Sequence, residues 1–508
     1  VSILSGLEGE FSNGMTYDFS GRFGSNEIQY TLKNTINPSM GPDSPTSFRP
    51  GDLINEELQF SADFVQILDM GMENEVLFAF GLTYMEESYE LVGNDVDSYA
   101  AGPYSLGDPW GFCDNDIATA AGLAVIANSS TLDCADSSDA VYTAVGVGSN
   151  GFPGYSPEYS GKYERDMAGI YIDVSTDVSD ALFVQGALRY EDYSDFGSEL
   201  VGKVAFKYSL TDDFNLRGSM GTGFRAPTPG QQGTTNVSTR LPNGFPVATG
   251  LFPAISPVGQ ALGAEALRPE TSVNYSIGFT GNVDDLNITL DFYSIALEDR
   301  FYAVSTLAVS TDTTSGEAYN NFLALDAAGV DGANTIGGVN YFQNAFDTTT
   351  SGFDFVATYT MGDTLLTGSV NYNSTEIDTN IDVVSEYLNG EDQFDLENAL
   401  PEWRGVLSAK HDFDMLTLLV RANVYGAYEN ATNSAGTNIQ EYDASVLFDV
   451  EVNYQVSDSL SVSAGARNIL DTYPDEDEGD MCCGAIYWSA NIVDWQGGYY
   501  YARLNYSF

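Results

Sequence analysis

The sequence predicts an all-β chain, a transmembrane antiparallel up-and-down β-barrel of the bacterial outer-membrane kind. Three observations lead there. The last eleven residues, Gly498 to Phe508, alternate: Tyr500, Ala502, Leu504, Tyr506 and Phe508 share one face, and Tyr499, Tyr501, Arg503, Asn505 and Ser507 share the other. Successive strand residues point to opposite faces, so one side suits lipid and the other a polar lumen. Similar alternation recurs along the whole chain, and the connections between these segments are by turns very short and very long. Outer-membrane barrels have short periplasmic turns and long extracellular loops.

Taken in order, the alternating segments fall near 15–33, 57–68, 75–92, 166–178, 181–194, 199–210, 214–225, 271–283, 286–302, 341–361, 364–377, 402–413, 415–430, 439–456, 459–472 and 497–508. That reading gives sixteen strands and needs no helix. On 214–225, Phe214, Leu216, Met220 and Phe224 oppose Asn215, Arg217, Ser219 and Arg225. On 200–210, Val204, Phe206, Tyr208 and Leu210 oppose Lys203 and Lys207. On 415–425, Leu416, Leu418, Val420 and Val424 oppose Arg421 and Asn423. Arg22, Arg189, Arg404, Lys410, Arg467 and Arg503 also fall opposite the apolar face. A charge on the lipid side costs about 2–4 kcal/mol at the bilayer midplane, so these cations belong to a polar lumen, where they could also hold an acidic or polar plug.

The short connections are Ser179-Asp180, Thr211 to Asp213, Val283 to Asp285, Gly362-Asp363, Asp412 to Asp414 and Ser457 to Ser459, all rich in residues suited to tight turns. The long ones lie near 34–56, 93–165, 226–270, 303–340, 378–401 and 473–496. Pro227 and Pro229 should stop the strand before them by removing ladder donors.

Composition agrees. Aromatic residues make up 13%, with 32 Tyr and 29 Phe, which suits interfacial girdles. No apolar run is long enough for a membrane helix. The net charge of −55 argues against a nucleic-acid partner, because phosphate would be repelled. Four cysteines allow three pairings. Local pairing, Cys113 with Cys134 and Cys482 with Cys483, is preferred and fits an oxidising compartment. A single histidine, His411, supports neither a catalytic triad nor a zinc set, so an enzyme is not expected.

Several segments resemble TonB-dependent outer-membrane receptors. Leu216 to Pro229, with Gly223-Phe-Arg-Ala-Pro227 inside it, looks like a strand-and-loop motif of that family. Leu267 to Phe279 and Leu286 to Arg300 resemble the segments that follow it. Gly465 to Tyr473 is similar to the penultimate-strand motif, and Arg503 to Phe508 to the closing strand. The resemblance implies an energised importer with a plug inside a barrel of about 22 strands. It implies partners in the TonB-ExbB-ExbD complex, outer-membrane lipid and a small-molecule ligand. On this reading the sixteen strands over residues 1–508 are the C-terminal part of a longer receptor. The opening Val1-Ser-Ile-Leu-Ser-Gly is no signal peptide, and the plug, the TonB box and the remaining strands are expected upstream. The first strand, near 15–33, should then run outward and should not pair with the last.

The family places its ligand site among outer loops and plug. The loop aromatics and cation that could serve are Arg240, Phe245, Phe252, Tyr487, Trp488 and Trp495, with Tyr473 beside them. They could equally pack the loops. No cofactor is expected, although Asp475, Asp477 and Asp480 lie in an acid run that could bind calcium. The leading function is active import of a scarce nutrient: an iron–siderophore complex, a vitamin or an oligosaccharide. A passive sixteen-stranded porin and a surface adhesin are the alternatives.

Overall fold

The computed structural model describes all residues except 72, 137, 144, 158–159, 241–246, 331–332, 478–485, 489 and 508, and the side chains of 238–240. One antiparallel sheet dominates it, with seventeen strands paired in chain order. They are β1 Ser2–Glu10, β2 Thr16–Gln29, β3 Gly51–Leu68, β4 Val76–Gly93, β5 Gly161–Ser179, β6 Leu182–Tyr193, β7 Gly197–Ser209, β8 Phe214–Arg225 and β9 Glu270–Val283, followed by β10 Leu286–Ala303, β11 Phe342–Met361, β12 Thr364–Ile377, β13 Trp403–Phe413, β14 Leu416–Tyr425, β15 Ser445–Ser457, β16 Leu460–Arg467 and β17 Tyr499–Tyr506.

The count exceeds the sequence reading by one, because Ser2–Glu10 is itself a strand, joined to β2 by a hairpin. Its pattern is hidden because Leu4 sits among polar residues on the lumen face, opposite Arg22, while Ile3 and Leu7 face Phe23 and Phe19. The alternation is broken at the residue that would have announced it. β2 pairs with β1 on one side and β3 on the other, so the 15–33 segment does not pair with the last strand, as expected.

Two-residue turns at Asp284-Asp285, Gly362-Asp363 and Asp414-Met415 close three of the hairpins. Asp284, Gly362 and Asp414 each have positive φ, the conformation that tight hairpins need and that Gly and Asp tolerate. All the long connections emerge at the opposite end. There the structure adds helices that strand periodicity did not reveal: α1 Ala120–Ala127, α2 Pro229–Gly233, α3 Pro257–Ala261, α4 Glu317–Ala327, α5 Ile381–Val384 and α6 Gly390–Asn398. Their signals are local. Thr228-Pro229 and Ser256-Pro257 place a hydroxyl cap before a proline in the first turn, and Thr228 and Gln231 form a reciprocal capping box.

Other boundaries differ for the same kind of reason. The 415–430 and 439–456 segments each split. Tyr428–Ala431 and Ile439–Tyr442 leave the wall to form their own hairpin. The 459–472 segment ends at Arg467, and Asn468 and Asp471 then adopt positive φ. β8 ends at Arg225, just ahead of Pro227.

The faces follow the alternation. Leu200, Val204 and Leu504 are 63%, 66% and 67% exposed, and they stand among dozens of exposed apolar side chains on the same outer face. A patch of that extent has no place in water and is the lipid-facing band of a membrane barrel. Among the described residues no helix is long and apolar enough to cross a membrane. The buried hydrophobic core lies at the long-loop end. Phe252, Val258, Val304, Leu325, Ile336, Val339 and Tyr341 form one cluster in which the connection after β8 packs against the connection after β10.

Candidate functional site at the long-loop mouth

The lumen wall carries a set of charge pairs, some within a strand, some between adjacent strands and some across an intervening strand. Arg217 reaches across β9 to grip Asp291 with two hydrogen bonds, the Nε one at 2.9 Å. Gly278 lies directly between them, and a Cβ there would come within 1.8 Å of the Asp291 carboxylate. Glycine at this point is therefore what lets the pair close. Arg189 pairs with Glu191, Arg421 with Asp449 at 4.0 Å and Arg503 with Glu451 at 3.8 Å. Arg22 pairs with Glu57, and Arg404 lies over the Tyr425 ring. Lys203, Lys207 and Arg467 have no ion pair among the described residues. Most of the inward arginines are thus already engaged by carboxylates of the same wall.

At the mouth two buried networks lock the strands to the loops. Glu270 is 1% exposed. It forms an ion pair with Arg225, Nε at 2.6 Å, and accepts from the Phe301 backbone N–H at 2.9 Å, and Arg225 stacks 4.5 Å from the Phe301 ring centre. The three segments 216–229, 267–279 and 286–302 therefore meet at one point. The second network is centred on Arg165, whose side chain is only 4% exposed. It donates to Glu87 at 2.7 Å and to the Pro227 carbonyl at 2.6 Å, lies 3.6 Å from Asp195, and covers the Tyr193 ring at 5.0 Å. Sequence reading overlooks Arg165. Its signal is its place in a strand where Glu87 is its direct partner.

The proposed ligand residues scatter. Phe252 is fully buried in the loop core and packs the loops. Arg240 ends the strand Asn236–Arg240, which pairs with Val247–Leu251 in a small sheet of that core. Phe245 lies outside the described residues. Trp488 sits against the stacked rings of Tyr428 and Tyr442. Tyr487 stacks on Tyr473 at 6.3 Å, while Trp495 is 59% exposed. The structure thus gathers Tyr473, Tyr487 and Trp488 into one aromatic region beside the Tyr428–Tyr442 hairpin and leaves Phe252 apart from it. Burial pushes the Tyr428 phenol up to about 12 and raises Tyr442 as well.

Of the acid run, Asp475 accepts the Asp443 backbone N–H at 2.7 Å, the Asp477 backbone N–H donates to the Ile486 carbonyl, and Asp480 lies outside the described residues. Cys113 and Cys134 form a disulfide. Cys482 and Cys483 lie outside the described residues.

Known proteins share this fold. The chain is 23% identical over 387 residues to the probable TonB-dependent siderophore receptor PirA of Acinetobacter baumannii, covering 73% of this chain and 47% of that protein. It is 24% identical over 308 residues to the vitamin B12 transporter BtuB of Photobacterium profundum, covering 61% of this chain and 40% of that one. It spans less than half the length of both. The crystal structure of the Acinetobacter baumannii siderophore receptor PirA superposes with a TM-score of 0.62 at 16% identity, over 100% of this chain and 62% of that one. A ferric enterobactin receptor mutant of Pseudomonas aeruginosa superposes with a TM-score of 0.63 at 12% identity, over 100% and 61%. At such identities the superpositions establish the fold. The model for the TonB dependent receptor-like β-barrel matches residues 3–469, and the chain belongs to that outer-membrane family.

Proposed function

We propose that the chain forms the barrel of an active importer that carries an iron–siderophore complex across the outer membrane with energy supplied through TonB, ExbB and ExbD. The observation that supports this most is the family match over residues 3–469 together with a relative named as a siderophore receptor. The wall suits such an importer, being apolar outside and charge-paired inside. The long-loop end, with its aromatic region, would face the exterior and meet the ligand. Lys203 and Lys207, which have no wall carboxylate as partner among the described residues, would hold an acidic or polar surface inside the lumen. A vitamin is the second cargo to test, because a vitamin B12 transporter is also among the relatives.

The test is growth of a siderophore-receptor-deficient bacterium on iron–siderophore complexes as the sole iron source. Restored growth when the gene encoding this chain is expressed supports the reading. No growth on any complex, with rescue of vitamin B12-limited growth instead, would replace the cargo.

A further inference from the structure

We propose, on the reading of the chain as a siderophore importer, that the mouth above β12 to β17 selects its cargo by charge, admitting a positively charged iron–siderophore complex and repelling an anionic one. Three connections build this part of the mouth: residues 378–402 after β12, 426–444 after β14 and 468–498 after β16. Hydrogen bonds join them into one region. The Ala431 backbone N–H donates to Asp395 at 2.7 Å, the Asp443 backbone N–H to Asp475 at 2.7 Å, and Gln440 Nε2 to the Glu476 carbonyl at 2.8 Å.

The charge of that region is one-sided. Its three stretches of sequence hold 18 Asp and Glu and no Lys, Arg or His, whereas 14 of the chain's 18 Lys and Arg lie in the wall strands. Its carboxylates therefore cannot be neutralised from within. Glu429 and Glu441 stand directly opposite each other in their hairpin, and neither forms an ion pair among the described residues. Like charges placed this way destabilise a strand pair, a cost that a cation arriving from outside would remove. In α6, burial raises the carboxyls of Glu391 and Asp395, and neighbouring carboxylates raise them further, as a negative local field must. The aromatic rings select the same sign independently. Tyr428, Tyr442 and Trp488 stack within this region, and Tyr473 and Trp495 are exposed beside them. A ring face attracts a cation and not an anion. A cationic complex is thus concentrated at the mouth, while an anionic one meets repulsion there.

The experiment measures initial radio-iron uptake by siderophore-receptor-deficient cells expressing the gene that encodes this chain. Three probes share one iron-binding core: iron-loaded desferrioxamine B, whose free amine makes it positive, its neutral N-acetyl derivative and its negative N-succinyl derivative. Ferric enterobactin, strongly negative, is the fourth. Uptake should fall from the positive to the neutral to the negative derivative, by at least about tenfold overall at low salt, and the spread should shrink as salt is raised. Glu429→Gln combined with Glu441→Gln removes a like-charge repulsion, so this double variant should fold at least as well as wild type. It should nevertheless narrow the spread by about two- to threefold. Equal or reversed uptake across the desferrioxamine series overturns the proposal, as does an unchanged spread in the double variant. Uptake of ferric enterobactin without the desferrioxamine complexes overturns the proposal and leaves the siderophore reading standing. Uptake of none of the four removes the siderophore reading and the proposal together.

Discussion

Replacing Arg165 with leucine should be among the most damaging single changes at the barrel mouth. The guanidinium makes short hydrogen bonds to Glu87 and to the Pro227 carbonyl, at 2.7 and 2.6 Å, and a longer contact to Asp195. Removing one member of a buried ion pair costs about 3–5 kcal/mol, because a charge is left without its partner. Here Glu87 and Asp195 keep 21% and 24% of their side-chain surface, so water can relieve part of that penalty and the lower end applies. The orphaned Pro227 carbonyl adds about 1 kcal/mol. The expectation is a loss of about 3–4 kcal/mol. Denaturant unfolding of the protein in lipid bilayers, followed by tryptophan fluorescence, measures it as a midpoint shift at constant slope. Adding Glu87→Gln should restore at least about 1 kcal/mol relative to the sum of the two single changes, since groups in one network are not additive. A loss below about 1 kcal/mol for Arg165→Leu, or strict additivity in the double variant, would refute the claim that this network pins the loops to the wall.

Three further outcomes follow from the same geometry. Val204→Arg, on the outer face, should cost about 2–4 kcal/mol in a bilayer, while Ala205→Arg on the lumen side of the same strand should cost far less; equal costs would mean the faces are misassigned. Reduction of Cys113–Cys134, whose positions are separated by 21 residues, should destabilise its loop by about 3 kcal/mol in the chain-entropy model, seen as faster proteolysis within 94–160, and unchanged cleavage would contradict it. Tyr155 and Tyr428, both pushed from 10.0 up to about 12 by burial, stay protonated in the folded loops where an unfolded chain would ionise. Their stabilising effect is therefore fully present below pH 10 and is lost as pH rises toward about 12. Tyrosinate absorbance should lag behind that of the unfolded chain over this window, and coincident titrations would count against it.

The wall is legible in the sequence because its physics is periodic. A strand between lipid and lumen must alternate, so β8, β14 and β17 can be read directly from Met220, Leu418 and Leu504 against Arg217, Arg421 and Arg503. β1 escapes because Leu4 faces the lumen side beside Arg22, which breaks the period in a short, glycine-bearing strand. The loops are hardest to read because their structure comes from contacts between distant segments. Phe252 looks like a candidate binding aromatic in sequence, and only its membership of the buried cluster with Val304, Leu325 and Val339 shows that it packs the loop core. Arg165 has the opposite problem. The alternating pattern is legible only from 166, so Arg165 falls in the long connection 93–165 although the strand starts at Gly161, and Asp195 and Pro227 approach it from other connections that no spacing rule links to residue 165.

The most direct test of the account is uptake of radio-iron-labelled siderophore by cells expressing the receptor, with and without a functional TonB. Saturable uptake that disappears when TonB is deleted is expected. Uptake that persists unchanged without TonB would contradict it and identify the barrel as a passive channel.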